Sequence, residues 1–111
     1  MIDFGGAELG DLSISILCEY IEKTTRLRNL KLVRNKITDD AMKDILNACY
    51  CSKITSLNLG QNMLTEKSLE MLEQYDLGEI RNITLSLNKI NRRNVKNRLE
   101  EFVKRGITLS I

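Results

Sequence analysis

The stretch Leu27-Arg-Asn-Leu30-Lys-Leu32-Val-Arg-Asn35-Lys-Ile37 determines the fold, because its pattern occurs three times in this chain of 111 residues. It returns as Ile54-Thr-Ser-Leu57-Asn-Leu59-Gly-Gln-Asn62-Met-Leu64 and as Ile80-Arg-Asn-Ile83-Thr-Leu85-Ser-Leu-Asn88-Lys-Ile90. The three starts are 27 and 26 residues apart, and Gly106, Leu109 and Ile111 fit the beginning of a fourth copy. Self-similarity at such a period is typical of repeat architectures, in which each copy is one supersecondary unit.

Each copy predicts a strand followed by a helix. The strands are expected near 28–33, 55–60, 81–86 and 107–111, and the helices near 11–24, 38–51, 65–76 and 91–105. Thr38, Thr65 and Asn91 follow the final aliphatic residue of each copy, and these residue types favour the N-cap of a helix. Gly106 fits the residue that ends the last helix in a left-handed conformation.

Apolar residues at helical spacing predict the faces that the helices bury. The expected residues are, for the first helix, Leu9, Leu12, Ile16, Leu17, Tyr20 and Ile21; for the second, Ala41, Ile45, Leu46 and Cys49; for the third, Leu69 and Leu72; and for the last, Val95, Leu99, Phe102 and Val103. The first helix would then form the helical half of an incomplete leading repeat.

The pattern L-x-x-L-x-L-x-x-N-x-L resembles the leucine-rich-repeat family, and the period with a helix in every unit resembles its ribonuclease-inhibitor-like subclass. The resemblance implies a short curved α/β solenoid with a parallel sheet on the concave face and helices on the convex face. It implies one domain over 1–111, with a leading helix at 9–26, repeats starting near 27, 54 and 80, and a final strand at 106–111. The parallel strands lie closer together than packed helices do, which accounts for the curvature.

The asparagine of each copy has a structural role in this family. The resemblance implies that Asn35, Asn62 and Asn88 point inward and bond the backbone of the neighbouring turn, forming a ladder. Buried turn backbone without such partners would cost about 1–3 kcal/mol per group.

The outward strand positions are the candidate partner-binding residues. They form the rows Asn29–Ser56–Asn82–Thr108 and Lys31–Asn58–Thr84–Ser110, followed by Val33–Gly60–Ser86, with Arg34, Gln61 and Leu87 beyond. The residues expected to contact a protein partner are Asn29, Lys31, Val33, Asn58, Asn82, Thr84 and Ser86. The alternative is an ordinary solvated sheet face, and about a dozen side chains is fewer than the roughly 20–30 of a standard interface.

The charge is strongly asymmetric although the chain carries only +2 in total. Residues 81–111 carry a net +6 and residues 1–80 a net −4. The basic patch is predicted at Arg92, Arg93, Lys96 and Lys104, which suggests anion or nucleic-acid binding or an end-to-end homodimer. A solvated capping helix is the simpler interpretation, and the absence of an aromatic platform disfavours nucleic acid and anionic lipid as partners.

The composition disfavours catalysis. The chain has no His, which excludes His-based triads and His metal sites, and it contains no Gly-rich phosphate loop. Cys18, Cys49 and Cys51 lack a CxxC pair, so no metal or cofactor site is predicted and reduced thiols in a cytoplasmic protein are expected. We therefore expect no enzyme, no membrane span, and a protein-interaction module or small adaptor. The resemblance adds a regulator of a GTPase or of a cytoskeletal protein as the alternative.

Overall fold

A computed structural model of the chain describes residues 2–111. The protein is a mixed α/β structure with one five-stranded parallel sheet whose strands follow one another in chain order. The elements are β1 (Ile2–Asp3), α1 (Gly10–Ile21), β2 (Asn29–Lys31), α2 (Met42–Cys51), β3 (Ser56–Asn58), α3 (Glu66–Gln74), β4 (Asn82–Thr84), α4 (Val95–Lys104) and β5 (Thr108–Ser110). A 3₁₀ turn, Asp39–Ala41, leads into α2. The expected α/β class with a parallel sheet is confirmed, but the strands from β2 to β5 are three residues long, shorter than predicted.

The core follows the repeated pattern. The central residue of each of these strands is buried, and the pairing register aligns Leu30, Leu57, Ile83 and Leu109 as direct neighbours. The other aliphatic positions of the three copies are buried as well: Leu27, Leu32, Ile37, Ile54, Leu59, Leu64, Ile80, Leu85 and Ile90. The residues on either side of each central position lie on the opposite face of the sheet, because side chains alternate along a strand. One sheet face therefore contacts the helices and the other remains open.

Three asparagine side chains connect the units at the point where each strand ends. The amide of Asn62 donates to the carbonyl oxygens of Leu59, Gly60 and, in the preceding unit, Leu32, at 2.9 to 3.1 Å. Its oxygen accepts the backbone N–H groups of Asn35 and Ile37. Buried turn backbone is thus satisfied by a side chain rather than by water.

Asn35 and Asn88 occupy the same place in their own units. Asn88 donates to the carbonyl oxygens of Leu59 and Leu85 and accepts the N–H of Leu64. Asn35 donates to the carbonyl oxygens of Phe4 and Val33 and accepts the N–H of Leu9. Asn35 and Asn62 are buried and Asn88 is half-buried. The three residues form one continuous set of bonds across the units.

The N-terminal residues add a strand that the sequence analysis did not predict. Ile2 and Asp3 pair with Leu30 and Lys31, and Phe4 N–H donates to the carbonyl oxygen of Lys31. The segment 2–9 has the backbone course of the later units, but Ala7 takes the place of the ladder asparagine. This substitution conceals the incomplete repeat in the sequence.

Helix α1 buries only part of the predicted face: Ile21 is buried and Leu9 and Leu17 pack against the core. Ile14, Cys18 and Ile21 are buried, whereas Leu12 and Tyr20 are largely exposed, as is Ile16. The sequence carries two apolar faces on this helix, and both have helical spacing. The helix also ends at Ile21, three residues before its predicted end.

Helix α4 begins later than predicted, and one of its expected core residues is exposed. The oxygen of the Asn91 side chain accepts the N–H of Arg93 and closes a turn, so Asn91 is not the N-cap of the helix. Phe102 is buried, but Val103 is 66% exposed. Thr38 and Thr65, in contrast, accept the N–H groups of Asp40 and Lys67, as the N-cap prediction requires. Gly106 has φ +77°, the left-handed conformation expected at the end of the last helix.

Candidate functional site

The open face of the sheet carries two continuous rows of polar side chains. The register places Asn29, Ser56, Asn82 and Thr108 side by side, and next to them Lys31, Asn58, Thr84 and Ser110, which are the rows that the aligned copies predict. We call these eight residues the open strand face. Asn29, Lys31 and Asn82 are exposed, and Asn58 and Thr84 are half-buried. Among the predicted contact residues outside these rows, Val33 and Ser86 are half-buried just beyond the strand ends.

The charge of the open strand face is low. Asp3 pairs in register with Lys31, so β1 extends the second row by an acidic residue beside its one basic residue. Sequence reasoning missed Asp3, because Ala7 hides the repeat to which it belongs. The remaining residues of the two rows are amides and hydroxyls, which can donate and accept hydrogen bonds. This chemistry fits a polar protein surface or an exposed peptide backbone.

The backbone beside this face is tightly packed at Gly60. The oxygen of the Asn58 side chain accepts the N–H of Gly60 at 3.0 Å, which holds the amide of Asn58 against its own turn. A Cβ at Gly60 would lie 3.2 Å from that oxygen and 3.4 Å from the carbonyl oxygen of Ser86. A side chain at position 60 would therefore disturb Asn58 and the neighbouring unit.

A third row of side chains, which we call the loop row, borders the open strand face where the strands end. Arg34, Gln61 and Leu87 have φ between 55° and 59°, and Gly6 holds the same position in the first unit with φ +74°. Positive φ is uncommon outside glycine. Here each residue immediately precedes the ladder position, and the left-handed turn directs the next side chain inward. The left-handed backbone at these positions thus allows the asparagine ladder to form.

A shallow cavity of about 470 Å³ opens among these loops. Its walls include Arg34, Lys36, Met63 and Leu87, and Leu87 is 76% exposed. Lys36 lies 4.0 Å from the carboxylate of Glu8, with both side chains in solvent, and such a contact contributes little to stability. The loop row thus offers apolar and basic groups next to strand rows that consist mainly of amides and hydroxyls.

The N-terminal ends of the helices are linked by carboxylates. Asp11 accepts both the N–H and the hydroxyl of Thr38, and Asp39 accepts the same two groups of Thr65 and the hydroxyl of Ser68. Burial tends to raise the pKa of Asp39, but the hydrogen bonds from Ser68 and Thr65 outweigh this effect and hold its pKa below the ordinary value. The ionised form is therefore favoured by folding.

Asp39→Asn is expected to lower the free energy of unfolding at neutral pH and to weaken its dependence on acid. A folded-state pKa below 3.8 stabilises the protein above that pH, and this contribution is lost as the pH falls through the folded-state pKa. Thermal melts at neutral and acidic pH measure the effect, and the two proteins should converge in acid. Asp40→Asn is the control, because Asp40 is exposed; equal effects of the two substitutions would contradict the prediction.

Two of the four residues of the predicted basic patch are engaged within the chain. Arg92 donates to the carbonyl oxygen of Ile111 at 3.0 Å. Lys104 donates to Glu101 at 3.0 Å, and this bond raises the pKa of the lysine. Arg93 and Lys96 are exposed on the segment that leads into α4 and on its first turn. The four residues therefore do not form one free cationic surface.

Two other arginines attach α4 to α3. Arg98 donates to Glu73 through Nε and Nη2 and to Glu66 through Nη1. The hydrogen bond to Glu73 is the main reason that the pKa of Arg98 is raised. Arg105 donates to the carbonyl oxygens of Leu72 and Tyr75 at the C-terminal end of α3. Much of the +6 of residues 81–111 thus holds the fold together.

The cysteines give no indication of a reactive site. Burial raises the pKa of Cys18 and of Cys49 to about 12, so both thiols stay protonated at neutral pH. Cys51 is exposed, and all three cysteines are free. Within residues 2–111, no group of three metal-ligating side chains comes together, and no helix is long and apolar enough to cross a membrane.

Comparison of the sequence with protein-family models and with curated proteins finds no match.

Proposed function

We propose that this chain is a leucine-rich-repeat protein of the ribonuclease-inhibitor-like type, a short solenoid curved with its sheet on the concave face. We further propose that it acts as a non-enzymatic protein-interaction module. One observation carries the proposal: the open strand face presents eight polar side chains in register, while the bonds that hold the units together come from inward-pointing asparagines and from the helix side. Apart from Asn58, which bonds Gly60, the outward side chains have no partner within residues 2–111 and are therefore free to meet another molecule.

The loop row supports a contact that extends beyond the strands. The open strand face alone is smaller than one side of a standard interface. Arg34, Gln61, Met63 and Leu87 continue it with exposed basic, polar and apolar groups, and exposed apolar residues with a polar rim are typical of protein contacts. The preferred partner would place a polar surface on the strand rows and an apolar side chain against Leu87.

The alternative of an anion-binding C-terminal helix has less support. Arg92, Lys104, Arg98 and Arg105 all have partners within the chain, which leaves Arg93 and Lys96 of the predicted patch for an added anion. A cytoplasmic location remains part of the proposal, because buried cysteines that are unpaired are typical of reducing compartments.

The function is tested by measuring how a matched pair of substitutions in this chain changes its binding to the protein that co-purifies with it from its native cell. Asn82→Arg in the middle of the open strand face should weaken binding at least about tenfold, because it places a bulky charged side chain within the contact surface. Asn97→Arg places the same group on an exposed position of α4 and should leave the affinity unchanged. Titration calorimetry measures both, and the proposal fails if only Asn97→Arg weakens binding. A steep loss of wild-type binding with salt would favour the anion alternative instead.

A further inference from the structure

Helix α1 carries an apolar face that lies outside the core. Leu12 is 78% exposed, Ile16 62% and Tyr20 66%. These three residues are spaced by four, which places them next to one another along one side of a helix. We call them the α1 stripe. A contiguous apolar surface of this kind is a candidate for contact with another molecule.

The other sides of α1 are already occupied. Ile14, Cys18 and Ile21 point into the core. Asp11 accepts from Thr38, and Ser15 donates to Asp44 at 2.7 Å, so this side of the helix faces α2. The α1 stripe is on the remaining side, turned away from both α2 and the sheet.

We propose that the α1 stripe binds the α1 stripe of a second copy of this chain, with the two helices antiparallel and the two-fold axis at Ile16. The stripe is symmetric about Ile16, with one large apolar residue four positions before it and another four positions after it. In an antiparallel pair, Ile16 meets Ile16, and Leu12 of each copy meets Tyr20 of the other. Such an interface is isologous and closes after two copies.

The charges along α1 favour this arrangement. Lys23 lies seven residues after Ile16, so it reaches the N-terminal end of the other helix, beside exposed Glu8. A parallel pair would instead place Lys23 against Lys23, and like charges in contact disfavour association.

Two other occupants fit less well. An anionic lipid surface would be repelled by Glu19, which flanks the α1 stripe on the same helix. A head-to-tail contact with the basic end of another copy would find only part of the cations there available, because Arg92, Arg98, Lys104 and Arg105 are engaged within the chain. The second copy in the antiparallel arrangement uses only groups that are exposed.

The dimer is expected to be weak. Three partly exposed side chains per copy cover a few hundred Å², less than the roughly 800 Å² that each partner of a standard interface buries. The open strand faces of both copies stay accessible, because α1 lies on the helix side of the sheet. The dimer would therefore present two equivalent binding faces, which increases the apparent affinity for a partner that is itself multivalent.

Sedimentation velocity of the 111-residue chain from micromolar to hundreds of micromolar concentrations tests the proposal. We expect a reversible monomer–dimer equilibrium whose dissociation constant rises at least about tenfold in Ile16→Glu. Val103→Glu, on an equally exposed apolar residue of α4, should leave it unchanged, and circular dichroism verifies that both variants fold. A monomer at every concentration overturns the proposal, as does a dimer that Ile16→Glu does not weaken or that Val103→Glu dissociates.

Cysteine cross-linking tests the orientation of the helices. In a Cys51→Ser background, the Ile16→Cys variant should form a disulfide between the new cysteines of two copies under mild oxidation, because the two-fold axis brings the two positions together. Leu12→Cys and Tyr20→Cys should cross-link when mixed and not when each is alone. Self-linking of Leu12→Cys with no mixed product would indicate parallel helices and contradict the antiparallel arrangement.

Discussion

Replacing Phe102 with alanine is expected to lower the free energy of unfolding by about 3–5 kcal/mol, the usual cost of removing a buried aromatic ring. Phe102 is the one residue of α4 whose side chain is fully buried, at 1% exposed, among the residues that the structure describes. Its ring also lies 5.4 Å from the guanidinium of Arg105, a cation–π contact that the substitution removes. The helix would then be held mainly by Arg98, Arg105 and the partly buried Leu99.

Val103→Ala is the matched control for this prediction. Val103 is the next residue in the same helix and is 66% exposed, so its truncation should change stability by less than about 0.5 kcal/mol. Urea unfolding followed by circular dichroism measures both variants. Equal losses in the two variants would mean that α4 packs through a different face.

Asn62→Leu is expected to destabilise the protein by about 3 kcal/mol, near the upper end of the cost of leaving a buried polar group without a hydrogen bond. Leucine has nearly the same shape as asparagine but cannot form hydrogen bonds. The substitution leaves the carbonyl oxygen of Leu32 and the N–H groups of Asn35 and Ile37 without their present partner, whereas the carbonyl oxygen of Leu59 keeps its bond from Asn88. The groups that lose their partner belong to the unit before that of Asn62, so the contact between the two units should loosen.

Asn82→Leu makes the same replacement on the open strand face. Asn82 is exposed, so we expect a change in unfolding free energy well below that of Asn62→Leu. Hydrogen exchange adds a spatial readout, because the amides of Asn35 and Ile37 should lose protection in Asn62→Leu alone. An unchanged melting temperature for Asn62→Leu would show that the bonds across the units contribute little.

The repeated pattern made the α/β class, the order of the elements and the core strand positions predictable. Aliphatic residues at fixed offsets can be buried only if every copy has the same backbone course, and the register of Leu30, Leu57 and Ile83 follows from that requirement. The rows of the open strand face follow from the same register. The structural role of Asn62 could be predicted because asparagine recurs at the same position of each copy.

The errors arose where the pattern is ambiguous or changes. Helix α1 has two apolar faces of similar spacing, and only packing against α2 decides that Cys18 rather than Tyr20 is buried. The strand β1 was missed because Ala7 replaces the ladder asparagine. The left-handed conformation of Arg34 and Leu87 is invisible in the sequence, because neither residue type indicates positive φ. The late start of α4 depends on a turn that the Asn91 side chain closes.

The asparagine ladder also has a consequence for how such a chain lengthens. Asn62 bonds the unit before it through the same atoms by which Asn88 bonds the unit of Asn62. A tandem duplication of residues 54–79 would therefore create a junction at which Asn62 of the second copy can bond the backbone of Leu59 and Leu64 in the first, as Asn88 does in the protein. Genetic growth by whole units thus keeps the hydrogen bonds between the units, whereas an insertion of any other length would break the spacing on which the bonds depend.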